Sequence, residues 1–421
     1  MAGISRPRGT DDLLPARLAA RERAVAVGME LAGRYGYQRI ETPVFEATEL
    51  FVRGVGDTTD VVNREMYTFS DRGGRSLTLR PEGTAPAVRA FWESDLRQAS
   101  LPVRLAYAGP MFRYDRPGRG RYRQFNQFGV EVLGDTEPEL DAEVIALAWR
   151  WLADLGVTGT SLQLNSIGDG ECRPAYRAAL LDHFEPHLAQ LPELDQARLR
   201  RNPLRILDSK ELGSEDLLAS APRTTDFLCS SCREAFDRVL VALEAYRIPF
   251  ALNPRLVRGL DYYVRTTFEV WHEDLRGAQN SLFGGGRYDG LSELLGYPAA
   301  PGVGFAAGLE RVVLLAPEAA GPQLPVVFLL AAQPAAAATV IALAERLRAL
   351  RHEVICDPGR RSLKAKMRGA ERSGAALVVI LGEAELAAGT VTVRRLGDGH
   401  QAEVSASELE QQLQALLPTW N

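Results

Sequence analysis

A chain of 421 residues, 46% hydrophobic and 24% charged, has room for roughly two to four domains with buried cores and needs no disulfide staples. Its net charge of −5 excludes a generally basic coat for nucleic acid, while leaving room for a local basic surface. The opening MAGISRPRGTDDLLPA has no apolar signal core and no apolar run is long enough to span a bilayer, so the chain reads as cytoplasmic with no membrane partner.

The first predicted element is a helix over LAARERAVAVGMELAGRYG. Short strand-like segments follow: YQRIETPVF, RSLTLRPE, VRLAYAGPMFRYD, RYRQFNQFGVEVLG and SLQLNSIG. They alternate or are rich in aromatic and branched residues, and Gly or Pro bounds them. Such a series predicts a large antiparallel sheet rather than regular βαβ units. From 168 to 251 the spacing turns helical, in AYRAALLDHFEPHLAQL and SCREAFDRVLVALEAY, and predicts a mostly helical insertion. Strand character returns at RGLDYYVRTTFEVWHED, followed by GGGRYDGL and by GVGFAAGLERVVLL, read as a strand feeding directly into a helix.

Ala316 to Pro325 is rich in Pro and Gly and reads as a linker. Beyond it strands (VVFLLAA, EVICD, ALVVILG) alternate with helices (VIALAERLRALRH, RRSLKAKMRGAERSG), and a hairpin and a last helix follow. The fold class expected is therefore an α+β domain with an antiparallel sheet flanked by helices (1–167 and 252–320), a mostly helical insertion (168–251) and a C-terminal α/β domain (325–421).

Cys172, Cys229, Cys232 and Cys356 are too sparse for a disulfide framework. Cys229 and Cys232 form a CxxC, but no second pair follows, and Cys172 and His183 stand far upstream with no recognisable ligand spacing. They read as free thiols flanking a helix start, with no metal held by side chains.

No P-loop, dinucleotide fingerprint, HExxH or GxSxG occurs. What stands out is arginine at strand ends and turns: Arg113 in GPMFRYDRP, Arg258 in LVRGLDYY and Arg311 in GVGFAAGLER. A guanidinium is permanently charged and matches phosphate bidentately, so three converging on a sheet suit a triphosphate. Taken singly, each would more ordinarily be solvated or salt-bridged.

RIETPVFE around Pro43, GPMFRYDRPGRGRYRQF and GVGFAAGLER occur in that order and resemble the three signature motifs of class II aminoacyl-tRNA synthetases. LVRGLDYY and GGGRYDGL resemble the histidine-specific signatures of the histidyl-tRNA synthetase family. PRGTDDL, RPEGTAPAVR and RYRQFNQFGVEVLG match that family too. The resemblance covers essentially the whole chain, and the C-terminal domain would then be of the anticodon-binding type.

The resemblance implies histidine activation by ATP and transfer to the 3′ end of tRNA(His), with Mg²⁺ accompanying the phosphates. Arg113 and Arg258 would be the catalytic pair at the α-phosphate, and Arg311 would hold the γ-phosphate. Glu82, Gly83, Thr84 and Gln127 would take the histidine ammonium end; Glu131, Tyr262 and Tyr263 would take the imidazole. If Tyr262 and Tyr263 lie in a strand, only one of the two can face the pocket, and Tyr263 is the one expected. Arg116, Arg119 and Arg121 would meet the tRNA acceptor end, and the Pro43 motif implies a homodimer. Asp115, Asn126 and Gly118 depart from the commoner family residues Glu, His and Gln. In the basic helix, Arg360, Arg361, Lys364, Lys366, Arg368 and Arg372 supply candidate phosphate contacts. A regulatory paralogue of the family would typically lack the C-terminal domain and the arginine run; this sequence has both. A tRNA-independent amide ligase would have no use for the basic α/β tail.

Overall fold

A computed structural model describes residues 3–56, 59–98, 100–208, 215–275, 280–317 and 326–416. They form two compact units, one within 1–318 and one within 319–421. Most of the expected linker, residues 318–325, lies outside the described residues.

The first unit is built on β1 (Gln38–Arg39), β2 (Phe45–Ala47), β3 (Tyr67–Ser70), β4 (Ser76–Leu79), β5 (Val103–Phe112), β6 (Gln124–Leu133), β7 (Thr160–Ser166), β8 (Phe250–Leu252), β9 (Val264–His272), β10 (Ser281–Arg287) and β11 (Gly302–Gly308). Its main sheet runs β1-β5-β6-β11-β10-β9-β7-β8. All pairings from β5 to β7 are antiparallel, and β1 and β8 add to the edges in parallel. This is the expected class of sheet.

Strand periodicity decides which face does what. Phe128, Val130 and Val132 of β6 join Phe268, Val270, Phe283 and Phe305 under the helices Pro15–Arg34 and Glu139–Asp154. Trp151 locks those two helices together by donating to the carbonyl of Ala24 at 3.0 Å. The alternate residues Gln127 and Glu131 therefore face the opposite side of the sheet.

YQRIETPVF, expected as one strand, splits into β1 and β2. Pro43 lacks an N–H and restricts the residue before it. The carbonyls of Thr42 and Pro43 instead accept from buried Arg80 at 2.7 and 3.4 Å. β2, β4 and β3 form a small separate sheet. The sequence does not announce β3, because three of its four residues are exposed and no alternation develops.

Between β7 and β8 lie the helices Arg173–Phe184, Glu193–Arg201 and Ser230–Ala245. Tyr176, Leu180, Phe184, Leu199 and Ile206 supply a core of their own.

The second unit holds β12 (Val327–Ala331), β13 (Val354–Asp357), β14 (Leu377–Leu381), β15 (Thr390–Arg395) and β16 (Gln401–Ser405) in the order β13-β12-β14-β15-β16. The first three are parallel and β15–β16 is the expected hairpin. In the basic helix Leu363–Arg372, Lys366 is buried and donates to the carbonyl of Ala331 at 2.5 Å. It pins the helix to the end of β12 and is removed from the set of candidate phosphate contacts. Arg360, Lys364 and Arg368 remain exposed. No described helix is long and apolar enough to cross a membrane.

Candidate active site

A cavity of about 310 Å³ opens on the face of the main sheet away from the long helices. Arg113, Arg258 and Arg311 all line it, although they come from the end of β5, from the loop before β9 and from the helix after β11. Each is held differently. Arg113 Nε donates to the carbonyl of Pro81 at 2.8 Å, and its guanidinium lies 5.5 Å from the ring centroid of Phe125. Among the described residues no carboxylate pairs with Arg113 or Arg311. Arg311 Nη1 donates to the carbonyl of Ser281 at 2.6 Å. Arg258 is paired with Glu269, which also accepts from Trp271 Nε1 at 2.8 Å. Among the described residues the buried Nε of Arg258 has no hydrogen-bond partner. Two guanidiniums with no direct carboxylate pair among the described residues, in one cleft, suit an anionic ligand.

LVRGLDYY is not a strand. Asn253 and Pro254 turn the chain: the Asn253 side chain accepts from Arg255 N–H at 3.1 Å, and its carbonyl accepts from Leu256 N–H at 3.0 Å. Regular pairing resumes only at Val264. Freed from strand alternation, Tyr262 and Tyr263 both line the cavity, with ring centroids 4.6 Å apart at 49°. The expectation that only one would face the site is thereby corrected.

The glycine run of GGGRYDG lies inside β10 rather than in a turn. Only Gly284 lines the cavity, and a Cβ there would sit 2.3 Å from Arg258 Nη1. That glycine makes room for the guanidinium rather than for ligand. Arg287, in the same run, is buried away from the site and bound to Asp141.

At the amino-acid end, Glu82, Thr84 and Gln127 line the cavity. Glu82 accepts from the N–H groups of Thr84 and Ala85 at 2.7 and 3.0 Å, capping the helix Thr84–Glu93. Gln127 Oε1 is buried and has no partner among the described residues, an orphaned acceptor of the kind a bound ammonium would satisfy. Gly83 does not line the cavity; it packs on the ring of Tyr107.

Glu131 is fully buried beneath the floor rather than in the lining. It accepts from Thr84 Oγ1 at 2.8 Å, from Tyr107 OH at 3.0 Å and from Tyr288 OH. Burial pushes its carboxyl up to about 8, only partly offset by those hydroxyls. With the folded value above the ordinary 4.5, the folded chain holds the proton that the unfolded chain has lost. This contribution to stability is full below about 4.5 and disappears as pH rises through about 8. Glu131→Gln should therefore flatten the fall in melting temperature between pH 5 and 8, a difference worth up to roughly 5 kcal/mol. Parallel melting curves for the two proteins would refute this protonation state.

Of the departures, Asp115 lines the cavity, pairs with Arg121 and accepts from Arg116 N–H at 2.6 Å. Asn126 donates its N–H and side-chain amide to Glu310 at 2.8 and 3.0 Å. Arg121 lines the cavity, whereas Arg116 and Arg119 are exposed outside it. Sequence reasoning missed Arg80, Tyr107, Tyr288, Glu269 and Glu310. Arg80 and Tyr288 lie inside the quoted runs RPEGT and GGGRYDG without being singled out there, and Glu269 carries no local signal.

The histidyl-tRNA synthetase family model matches residues 9–312, and an anticodon binding domain model matches 326–416. A histidine–tRNA ligase of Desulforudis audaxviator is 52% identical over 415 residues, covering 97% of this chain and 98% of that protein. The one from Pelotomaculum thermopropionicum is 49% identical over 413 residues, covering 97% of each. The solved apo histidyl-tRNA synthetase of S. aureus superposes with a TM-score of 0.81 at 36% identity, covering 97% of this chain and 99% of that one.

Proposed function

The chain belongs to the histidyl-tRNA synthetase family, and from that premise we propose how its residues divide the work. The enzyme activates histidine with ATP and transfers the histidyl group to tRNA. The three arginines meeting at one cavity carry this reading.

In the first step a histidine carboxylate oxygen attacks the α-phosphorus of ATP. The P–O bond to pyrophosphate breaks, and histidyl-adenylate remains. The carboxylate is already ionised at neutral pH, so no general base is required. The chemistry rests on alignment and on charge stabilisation. Arg113 and Arg258 grip the α-phosphate from two sides, and Arg311 takes the γ-phosphate. Phe125 offers the flat apolar surface on which an adenine stacks. Glu310, which lines the cavity, would be the residue to hold a Mg²⁺ ion that accompanies the phosphates.

Glu82, Thr84 and Gln127 receive the ammonium group. Tyr262 and Tyr263 receive the imidazole, and Glu131 supports it from below through Thr84 and Tyr288. Polar partners of this kind reject a ligand lacking the matching groups by roughly 10⁴–10⁵. In the second step a terminal ribose hydroxyl of tRNA(His) attacks the histidyl carbonyl and AMP leaves. Exposed Arg116 and Arg119, with Arg121, would meet that end. Exposed Arg360, Lys364 and Arg368 suit phosphates of the anticodon stem-loop.

The enzyme would act as a cytoplasmic homodimer. Phe45, Leu77, Leu79 and Phe69 fall on one face of the β2–β4–β3 sheet, and Phe45 and Phe69 are 52% and 45% exposed. Such a face next to Pro43 suits burial against a second copy. A sedimentation coefficient of a single chain would argue against it. ATP–pyrophosphate exchange driven by histidine, and not by other amino acids, is the result that tests the site reading as a whole. Equal exchange with other amino acids would sink the imidazole assignments.

A further inference from the structure

The cysteines that look unconnected in sequence are gathered by the fold. Cys172 is the N-cap residue of the helix Arg173–Phe184, and Cys229 that of the helix Ser230–Ala245, with Cys232 in the latter's first turn. Asp169, in the turn after β7, completes the group. The ligand atoms of Asp169, Cys172, Cys229 and Cys232 all lie within 4.8 Å of one another. None of the cysteines is in a disulfide.

We propose that Asp169, Cys172, Cys229 and Cys232 form a structural zinc site at the root of the helical segment. Bonds of about 2.3 Å to sulfur and 2.0–2.2 Å to oxygen imply tetrahedral S···O edges of about 3.5–3.7 Å. Cys172 Sγ lies 3.6 Å from Asp169 Oδ1. The N–H of Cys229 points at Cys172 Sγ, 3.1 Å away, as outer-sphere donors to metal-bound thiolates do. Three thiolates select a soft or borderline cation over Mg²⁺ or Ca²⁺, and a carboxylate as the fourth donor fits tetrahedral Zn²⁺ better than an iron–sulfur cluster. Four protein ligands close the site, which marks it as structural.

Binding releases the thiol protons to solvent and leaves the site with excess negative charge. Two helix N-termini converge there, and their dipoles favour that charge. Arg265 adds a cation, with Nη2 3.5 Å from Asp169 Oδ2. The cluster joins the beginning of the segment between β7 and β8 to its last long helix. Arg173, the residue after Cys172, donates to the carbonyl of Tyr263. The metal thereby steadies the loop that carries Arg258 and the two tyrosines.

The test uses the full-length enzyme, purified under reducing conditions without chelator. Elemental analysis is expected to find one zinc per chain, lost in Cys172→Ser and Cys232→Ser and kept in Cys356→Ser. Because the first two variants could unfold, the reduced wild-type chain is also stripped and given Co²⁺. Thiolate-to-cobalt charge transfer in the near ultraviolet, with visible bands of tetrahedral intensity, is the expected spectrum. Stripping should also lower the melting temperature and raise the KM for histidine more than it lowers kcat. Wild-type enzyme that carries no zinc and gives no cobalt spectrum overturns the proposal. So does a native Cys172–Cys232 disulfide in non-reduced peptides, or zinc that stays in both serine variants.

Discussion

Arg258→Ala is expected to lower histidine-dependent ATP–pyrophosphate exchange by about 10²–10³-fold, the cost of removing one preorganised donor to developing charge. The guanidinium is fixed before substrate arrives. Glu269 pairs with it, the absent Cβ of Gly284 leaves it room, and the Tyr263 ring lies with its centroid 5.6 Å away. Its Nε has no acceptor among the described residues. The loss should fall mainly on kcat, because the interaction strengthens only as charge builds on the departing pyrophosphate. Arg258→Lys keeps the charge without the planar fork and should recover only part of the rate. Glu269→Gln, which leaves Arg258 in place but loosens it, should cost less than either. Near-normal exchange in Arg258→Ala would remove this residue from the chemistry.

The second large effect concerns stability. Arg287→Met should destabilise the first unit by roughly 3–5 kcal/mol, as breaking a buried ion pair does. Arg287 is 1% exposed and donates to Asp141 at 2.6 and 3.0 Å, to Asp289 at 3.0 Å and to the carbonyls of Asp135 and Glu137 at 3.1 and 2.9 Å. Removing it leaves Asp141 buried and uncompensated; burial already raises that carboxyl. Asp141→Leu in the same chain should restore part of the loss, since an apolar pair avoids desolvation on both sides. Equal denaturation midpoints for wild type and Arg287→Met would show that the network adds nothing. The same variant tests whether GGGRYDG serves the scaffold: weakened exchange should follow the loss of folded protein rather than a changed KM.

Much of the molecule is legible in one dimension because its signals are local. Period-2 alternation in FNQFGVEVL is enough to put Phe128, Val130 and Val132 on one face and Gln127 and Glu131 on the other. Gly308 followed at once by a helix places Arg311 without knowledge of any partner. The order of the Pro43, Arg113 and Arg311 motifs points to the synthetase class, LVRGLDYY and GGGRYDGL narrow it to the family, and the β/α alternation after residue 325 gives the second unit.

What the tertiary structure decided depends on contacts distant in sequence. Whether Glu131 touches the cavity follows from Thr84 of the helix Thr84–Glu93, Tyr107 of β5 and Tyr288 just after β10, which fill its oxygens. That Lys366 is structural follows from a carbonyl thirty-five positions away. Asn253 and Pro254 could have been read as a turn, yet only the resumed pairing at Val264 shows how much of LVRGLDYY escapes the strand. The cysteines make the same point. A CxxC alone supplies half a tetrahedron, and the other half comes from a turn some sixty residues earlier, brought there because β7 and β8 pair in parallel and tie the segment's two ends together. Side-chain type and local period are written in the sequence; which side chains converge is set by register and chain closure, and no local pattern encodes those.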